Sequence, residues 1–327
     1  MTPKLNVAIL VGGDSPEIDV SLKSGAFVES VLNRERYNVY TVTVRGREWY
    51  ATCKETRCDV DKNRFSVTLP DTGEVVFDYA LIMIHGTPGE NGLLQSYFEL
   101  MRIPYSTCSP TASAVTFDKI LSKRALSGCD IAMARDIRLN RHTPCDPDKI
   151  VSELSLPLFV KAATSGSSFG VSKVKSVGEL PEAVKIAFDE SDEVLVEECI
   201  DGTELSCGIM RYKGEFVLFP PTEIVPDGEY FDYDAKYNGR GQEITPARIS
   251  PIALERLYES MKTIYDALGM RSLVRIDFIV RDDIPYFIEV NTVPGMSPAS
   301  LIPQQAKAMG LSATELFDMI IDQTLQA

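Results

Sequence analysis

The chain alternates between short, almost unbroken apolar runs and longer stretches in which apolar residues recur every three or four positions. Residues 5–11 are nearly all apolar and stop at Gly12-Gly13, the pattern of a strand covered on both faces. Residues 18–32 change to a helical period, with Val20, Phe27, Val28 and Val31 as expected core positions. Residues 37–44 and 79–84 read as strands, and 93–101 as a helix. Strands separated by helices predict a parallel sheet with helices packed on it, so the first unit is of the α/β class. Residues 49–74 are polar and broken, which suggests a short hairpin insertion.

A second unit opens at Ser109-Pro110. Its pattern predicts a helix over 111–127, strands over 132–139 and 158–162, a glycine-serine turn at 165–170, a helix over 180–188 and a strand over 194–198. A third unit follows from about residue 197. It has strands over 204–212 and 216–220, a polar loop over 227–245 and a helix over 251–268. Two facing strands over 273–280 and 286–291 come next, then two terminal helices. The expected division is therefore 1–108, 109–196 and 197–327, with no internal repeat.

Length and charge narrow the possible functions. The 327 residues carry 33 Lys+Arg against 47 Asp+Glu, a formal net charge of −14. That speaks against a general nucleic-acid binder, which needs a basic footprint. It leaves anionic small molecules open, because a few inward-facing cations reverse the field locally. The longest apolar runs, 6–11 and 80–84, fall far short of the ~20 residues a membrane helix needs. A strand pattern almost at the start shows no signal peptide. Seven cysteines without a C-x-x-C pair, beside only two histidines, argue against zinc and for reduced thiols in a cytoplasm.

The strongest chemical pattern is Arg275-Ile276-Asp277 together with Glu289-Val290-Asn291. Alternate strand residues share a face, so Arg275 and Asp277 point one way and Ile276 and Phe278 the other. The turn at 281–284 makes the two strands antiparallel neighbours, and Asp277, Glu289 and Asn291 can converge. Three hard oxygen ligands suit Mg²⁺; the competing reading is a solvated strand face. The turn at 165–170 can form an anion-binding nest of backbone N–H groups, although many hairpins are equally rich in Gly and Ser. Lys161 interrupts an apolar strand just before it. Either a phosphate supplies its counter-charge or its head reaches water along an edge. Glu17, at the start of the first helix, either holds a substrate ammonium or offsets the helix dipole. His85 ends another strand near the same edge, as a base, a charge partner or a structural group. Lys236 and Tyr237 sit in a long polar loop of the kind that forms lids. Beyond Asn291, Gly295 can offer a backbone N–H to an oxyanion, and Ser300 can receive a carboxylate at a helix start.

These residues, in this order, resemble the D-alanine–D-alanine ligases of the ATP-grasp superfamily over essentially the whole chain. The carrying motifs are Gly12-Gly13…Ser15…Glu17…Val20-Ser21, His85-Gly86…Gly89-Glu90…Gly92 and Asp118-Lys119. They continue through Lys161…Gly166-Ser167-Ser168…Gly170, Glu197…Glu204 and Ala235-Lys236-Tyr237. Arg275-Ile276-Asp277 and Glu289-Val290-Asn291-Thr292…Pro294-Gly295-Met296…Ser300-Leu301 complete the set. The resemblance implies an ATP-grasp fold: an N-terminal open parallel-sheet, Rossmann-like domain, then two α+β lobes holding ATP between them. It implies ATP-dependent joining of two D-alanine molecules through an acyl phosphate, giving ADP and phosphate, for peptidoglycan precursor synthesis. Lys119, Lys161 and Lys236 resemble the lysines that neutralise ATP phosphates, with Ser168 in the phosphate loop. Glu197, Glu198 and Ile200 resemble the adenine-binding hinge, and Glu204 the ribose ligand. Asp277, Glu289 and Asn291 resemble the ligands of Mg²⁺, two ions in number, with Mn²⁺ able to substitute. Glu17 resembles the residue that holds the first D-alanine ammonium, linked through Ser167 to Tyr237, with His85 beside that substrate. Arg275 and the Gly295 N–H resemble the stabilisers of the intermediates, and Ser300 and Leu301 the site of the second D-alanine carboxylate. The resemblance further implies a cytoplasmic homodimer. The rival readings are a D-alanine–D-lactate or related ligase of the same fold, and a nucleotide-binding regulatory module without turnover.

Overall fold

The structure is a computed structural model that describes residues 3–53, 55–142, 145–164, 166, 169–225 and 241–325. In the first sheet, β1 (Leu5–Gly12) lies between β2 (Tyr37–Arg45) and β7 (Tyr79–Ile82), parallel to both. Helix α1 (Ile18–Val31) packs on this sheet, and α2 spans Leu93–Met101 as the pattern predicts.

The phase of α1 differs from expectation. Its buried residues are Ser21, Ser24, Gly25 and Val28, while Val20, Phe27 and Val31 are only half-buried. Small residues let the helix lie close on β1, and a Cβ added at Gly25 would overlap Val11 Cγ1. Both buried serines also bond outward: Gly12 N–H donates to Ser21 Oγ (2.9 Å), and Met296 N–H donates to Ser24 Oγ (3.2 Å). Gly25→Ala is therefore expected to lower stability by about 1–3 kcal/mol despite alanine's better helix propensity. Thermal unfolding checks it, and an unchanged or higher Tm would show that α1 is not seated by close approach.

The segment 49–74 is a larger element than a short hairpin. Strands β3 (Glu48–Cys53), β4 (Thr56–Asp61), β5 (Ser66–Leu69) and β6 (Gly73–Val76) extend the first sheet as an antiparallel meander. The sheet is thus mixed, parallel only around β1. Alternate residues such as Trp49, Ala51, Cys58 and Val60 are buried against Phe65 and Phe77. The other face meets water, which makes the segment look broken in sequence.

The predicted helix over 111–127 divides into α3 (Pro110–Phe117) and α4 (Lys119–Leu126). Asp118 makes the break with extended backbone, and its carboxylate accepts the N–H of Ile120 (2.8 Å) and of Leu121 (3.0 Å). That N-cap puts Lys119 at the first position of α4. The predicted strand over 132–139 also divides, into β8 (Ala132–Met133) and β9 (Asp136–Asn140), which join different sheets. A helix the pattern missed, α5 (Pro147–Leu154), starts behind an Asp146 cap on the Lys149 N–H, with Pro147 at its first position.

The second sheet has the antiparallel order β11 (Val171–Val174), β10 (Leu158–Ala162), β12 (Glu193–Glu198), β9, with α6 (Leu180–Glu190) packed on it. The third contains β13 (Thr203–Tyr212), β14 (Glu215–Leu218), β15 (Thr222–Val225), β16 (Gln242–Ile244), β17 (Val274–Arg281) and β18 (Ile284–Asn291). Strand β8 pairs in parallel with β18, and α7 (Pro251–Ala267) packs against β18. Helices α8 (Leu301–Ala308) and α9 (Ala313–Leu325) close the chain. Ile302, Ala306, Phe317 and Ile321 share a buried cluster with Val7, Ile9 and Val28, so the last two helices fasten the third sheet to the first. Among the described residues no helix is long and apolar enough to cross a membrane.

Candidate active site

A cavity of about 340 Å³ lies where the ends of β1 and β7 meet the β17–β18 hairpin and the loop after it. A smaller cavity of about 130 Å³ opens between the second and third sheets, walled by Phe159, Ile200, Ile279 and Phe287. Lys119, Glu204, Asp277 and Glu289 line both. The two spaces therefore meet at the acidic pair that the strand pattern singles out.

The register makes that pair. Asp277 stands opposite Glu289 and Arg275 opposite Asn291, with a bulge after Asp277. Asp277 is buried and fully engaged: Ser206 Oγ donates to Oδ1 (2.7 Å), Arg275 Nη2 lies 2.8 Å from Oδ2, and Asn291 Nδ2 donates to Oδ2 (3.2 Å). Lys119 Nζ sits 3.3 Å from Glu289 Oε2. Among the described residues, no group of three His, Cys, Asp or Glu gathers around a possible metal. The donor set is two carboxylates and an amide oxygen. All are hard ligands, and so few of them leave coordination positions for phosphate oxygens and water, which fits Mg²⁺.

Lys161 neither reaches water along an edge nor waits for a phosphate as its sole counter-charge. Its Nζ lies 2.6 Å from Glu197 Oε2, while Lys123 Nζ lies 2.6 Å from Glu197 Oε1. Burial alone would raise the Glu197 pKa, but the two lysines outweigh it and hold the carboxyl down at about 2. Burial alone would likewise lower Lys161, and Glu197 instead keeps it above its ordinary value. Because Glu197 is depressed in the fold, its contribution to stability is complete above the ordinary 4.5 and fades as pH falls toward about 2. The stability gap between wild type and Glu197→Gln should therefore shrink across that window in chemical denaturation. A gap independent of pH there would show that the carboxylate charge is not what the lysines stabilise.

The other hinge residues have different settings. Glu198 turns to the rim, where it accepts Arg135 N–H and Nε–H, both at 2.9 Å. Burial would raise the Glu198 pKa, but Arg135 brings it below the usual carboxylate range. Ile200 is buried and gives the smaller cavity an apolar wall.

At the other end of the large cavity, Glu17 leads into α1 and its carbonyl accepts Val20 N–H (3.0 Å) and Ser21 N–H (3.1 Å). A Cβ on Gly166 would lie 2.9 Å from Glu17 Oε2, so the glycine lies close against this carboxylate. His85 is buried, with Nδ1 2.8 Å from the Val293 carbonyl and Nε2 3.4 Å from Ser24 Oγ. Burial pushes its pKa down although Glu17 pulls it up, and its bond to Val293 braces the loop after β18. Glu90 braces the same loop, accepting Val293 N–H (3.2 Å) and Gly86 N–H (2.7 Å). Burial and the charge of Glu17 push Glu90 up to about 8.

Gly295 and Ser300 are close: a Cβ on Gly295 would lie 2.9 Å from Ser300 Oγ. Ser297 N–H donates to Ser300 Oγ (3.0 Å), and no side chain caps α8, whose first residue is Leu301. Ser300 and Leu301, at this uncapped helix start, line the larger cavity. Ser167, Ser168, Lys236 and Tyr237 lie outside the described residues. Sequence reading missed Lys123 and the apolar walls Phe159, Ile279 and Phe287 as site residues, and quoted Glu90 only as part of a motif. A signal for Lys123 exists: it stands four positions after Lys119 on one helix, hence on one face.

Two sheets closing a cleft over a carboxylate-bearing hairpin, joined to an N-terminal α/β sheet, define an ATP-grasp protein. Residues 6–108 match the family model for the D-ala D-ala ligase N-terminus, and residues 125–322 the model for its C-terminus. A D-alanine–D-alanine ligase from Flavobacterium johnsoniae is 44% identical, covering 98% of this chain and 99% of the relative. The crystal structure of D-alanyl-alanine synthetase A from Vibrio cholerae superposes with a TM-score of 0.89 at 30% identity, covering 100% of both chains. A D-Ala:D-Ser ligase from Enterococcus faecalis superposes with a TM-score of 0.85 at 29% identity, covering 98% of this chain and 100% of that one. The chain belongs to the D-alanine–D-alanine ligase family.

Proposed function

We propose that this chain joins two D-alanine molecules into D-alanyl-D-alanine, with ATP converted to ADP and phosphate. The carrying observation is the meeting of the two cavities at Asp277 and Glu289, with Lys119 and Arg275 beside them. A carboxylate does not accept an amine directly, so it is first converted to an acyl phosphate. The smaller cavity takes the adenine against its apolar walls, with Glu204 toward the ribose. Lys119, Lys161 and Lys236 offset phosphate charge, and Ser168 contributes to phosphate binding. Asp277, Glu289 and Asn291 would hold Mg²⁺, which supplies further neutralisation of the transferring phosphoryl group. Glu17 holds the ammonium of the first D-alanine. Arg275 and the Gly295 N–H face the oxyanion that forms when the second amine attacks. The helix start at Ser300 and Leu301 receives the second carboxylate. In this reading 1–108 holds the first substrate, and the lobes 109–196 and 197–327 hold ATP between them. Seven cysteines that are all free support a reducing, cytoplasmic setting.

Incubation with ATP and D-alanine, alone and mixed with D-lactate or D-serine, tests the proposal through product analysis. D-alanyl-D-alanine as the dominant product supports it, and a depsipeptide or a D-serine product in excess would replace it. Tyr237→Phe should shift the ratio of dipeptide to depsipeptide severalfold toward D-lactate, the effect of one lost hydrogen bond worth about 1 kcal/mol. The ratio is measured at equal acceptor concentrations from pH 6 to 9. If it does not change at any pH, Tyr237 plays no part in acceptor choice.

A further inference from the structure

Lys123 is 5% exposed, and its ammonium is saturated. It lies 2.6 Å from Glu197 Oε1, 2.8 Å from Asp136 Oδ2 and 2.7 Å from the Ala134 carbonyl oxygen. An ammonium has three protons, and here each has an acceptor on a strand or segment outside its own helix. Lys123 therefore ties α4 to β9 and to Glu197 of β12, which lines the smaller cavity. Asp136, its second acidic partner, also holds Arg138 Nε at 3.0 Å. Lys161 shares Glu197 with Lys123 but is held differently. Among the described residues Glu197 is its one acidic partner, and its side chain lines the smaller cavity. Lys123 is locked by three acceptors, whereas among the described residues Lys161 has one ion pair and the Phe159 ring 5.7 Å away.

We propose that Lys123 is a positioning residue for nucleotide binding: it keeps Glu197 neutralised when Lys161 turns from that carboxylate to the phosphates of ATP. A buried carboxylate stripped of its only cation carries a large desolvation penalty, and that penalty would be subtracted from nucleotide affinity. With Lys123 on the other oxygen, Lys161 moves without leaving Glu197 unpaired. The inference rests on the ATP reading above and adds a residue that the family resemblance does not assign.

The test is a double-mutant cycle on the full chain with Lys123→Met, Glu197→Gln and both together. Binding of a non-hydrolysable ATP analogue with Mg²⁺ is measured by calorimetry, alongside KM for ATP, KM for D-alanine, kcat and thermal unfolding. Lys123→Met is expected to weaken analogue binding and raise KM for ATP about tenfold or more, with KM for D-alanine and kcat nearly unchanged. In the Glu197→Gln background the same substitution should cost less than about threefold, because a neutral amide needs no second cation. That background also keeps the test alive if Lys123→Met alone does not fold. Wild-type affinity in Lys123→Met, or an equally large loss in both backgrounds, would overturn the inference. Failure of the wild-type chain to bind the analogue would instead overturn the ATP reading, and the inference with it.

Discussion

Glu289→Gln and Asp277→Asn will each reduce ligation by roughly three orders of magnitude or more, equivalent to about 4 kcal/mol of transition-state stabilisation. Both replacements keep the volume of the side chain and remove its charge, so the loss reports on charge and not on packing. The two should differ in stability. Glu289 is half-buried and has Lys119 3.3 Å away, so its amide weakens one ion pair. Asp277 is bound to Ser206, Arg275 and Asn291 at once, so its amide disturbs three contacts instead of one and lowers Tm further. Circular dichroism establishes that each variant folds, and activity is then titrated against Mg²⁺. Near-wild-type activity at saturating Mg²⁺ in a folded variant would remove these two residues from the metal assignment.

Lys161→Met will weaken binding of an ATP analogue about ten- to hundredfold, the loss of one charge-assisted contact of about 1.5–3 kcal/mol. Its effect on folding should be smaller, because Glu197 keeps Lys123 at 2.6 Å when Lys161 is gone. That partner separates a phosphate role from a purely structural one. If Lys161 served only to neutralise Glu197, its removal would cost stability and leave nucleotide affinity where it was. Calorimetric titration alongside thermal unfolding decides between the two outcomes.

Much of this molecule is legible from the chain because its signals are local. Alternation places Asp277, Glu289 and Asn291 on one face of a hairpin whose turn is only a few residues long, and the structure pairs Asp277 with Glu289 directly. Residues 93–101 form a helix with the bounds that their period predicts. The same local reading fails wherever the deciding partner is distant. Residues 132–139 look like one strand, yet the two ends pair with different sheets.

The remaining features were settled by tertiary structure, for two physical reasons. Hydropathy ranks side chains by their liking for water, but a close contact is seated by small residues whatever their polarity. Ser21, Ser24 and Gly25 are buried because β1 lies against them, while the more apolar Val20 faces the cavity. An ion pair, in turn, has no signature in either partner alone. Glu197 meets Lys123 across 74 positions of sequence. Residue types alone leave Lys161 with a choice between water and a phosphate. Only the fold brings Glu197 to it, because β10 and β12 pair and α4 delivers Lys123 to the carboxylate's other oxygen.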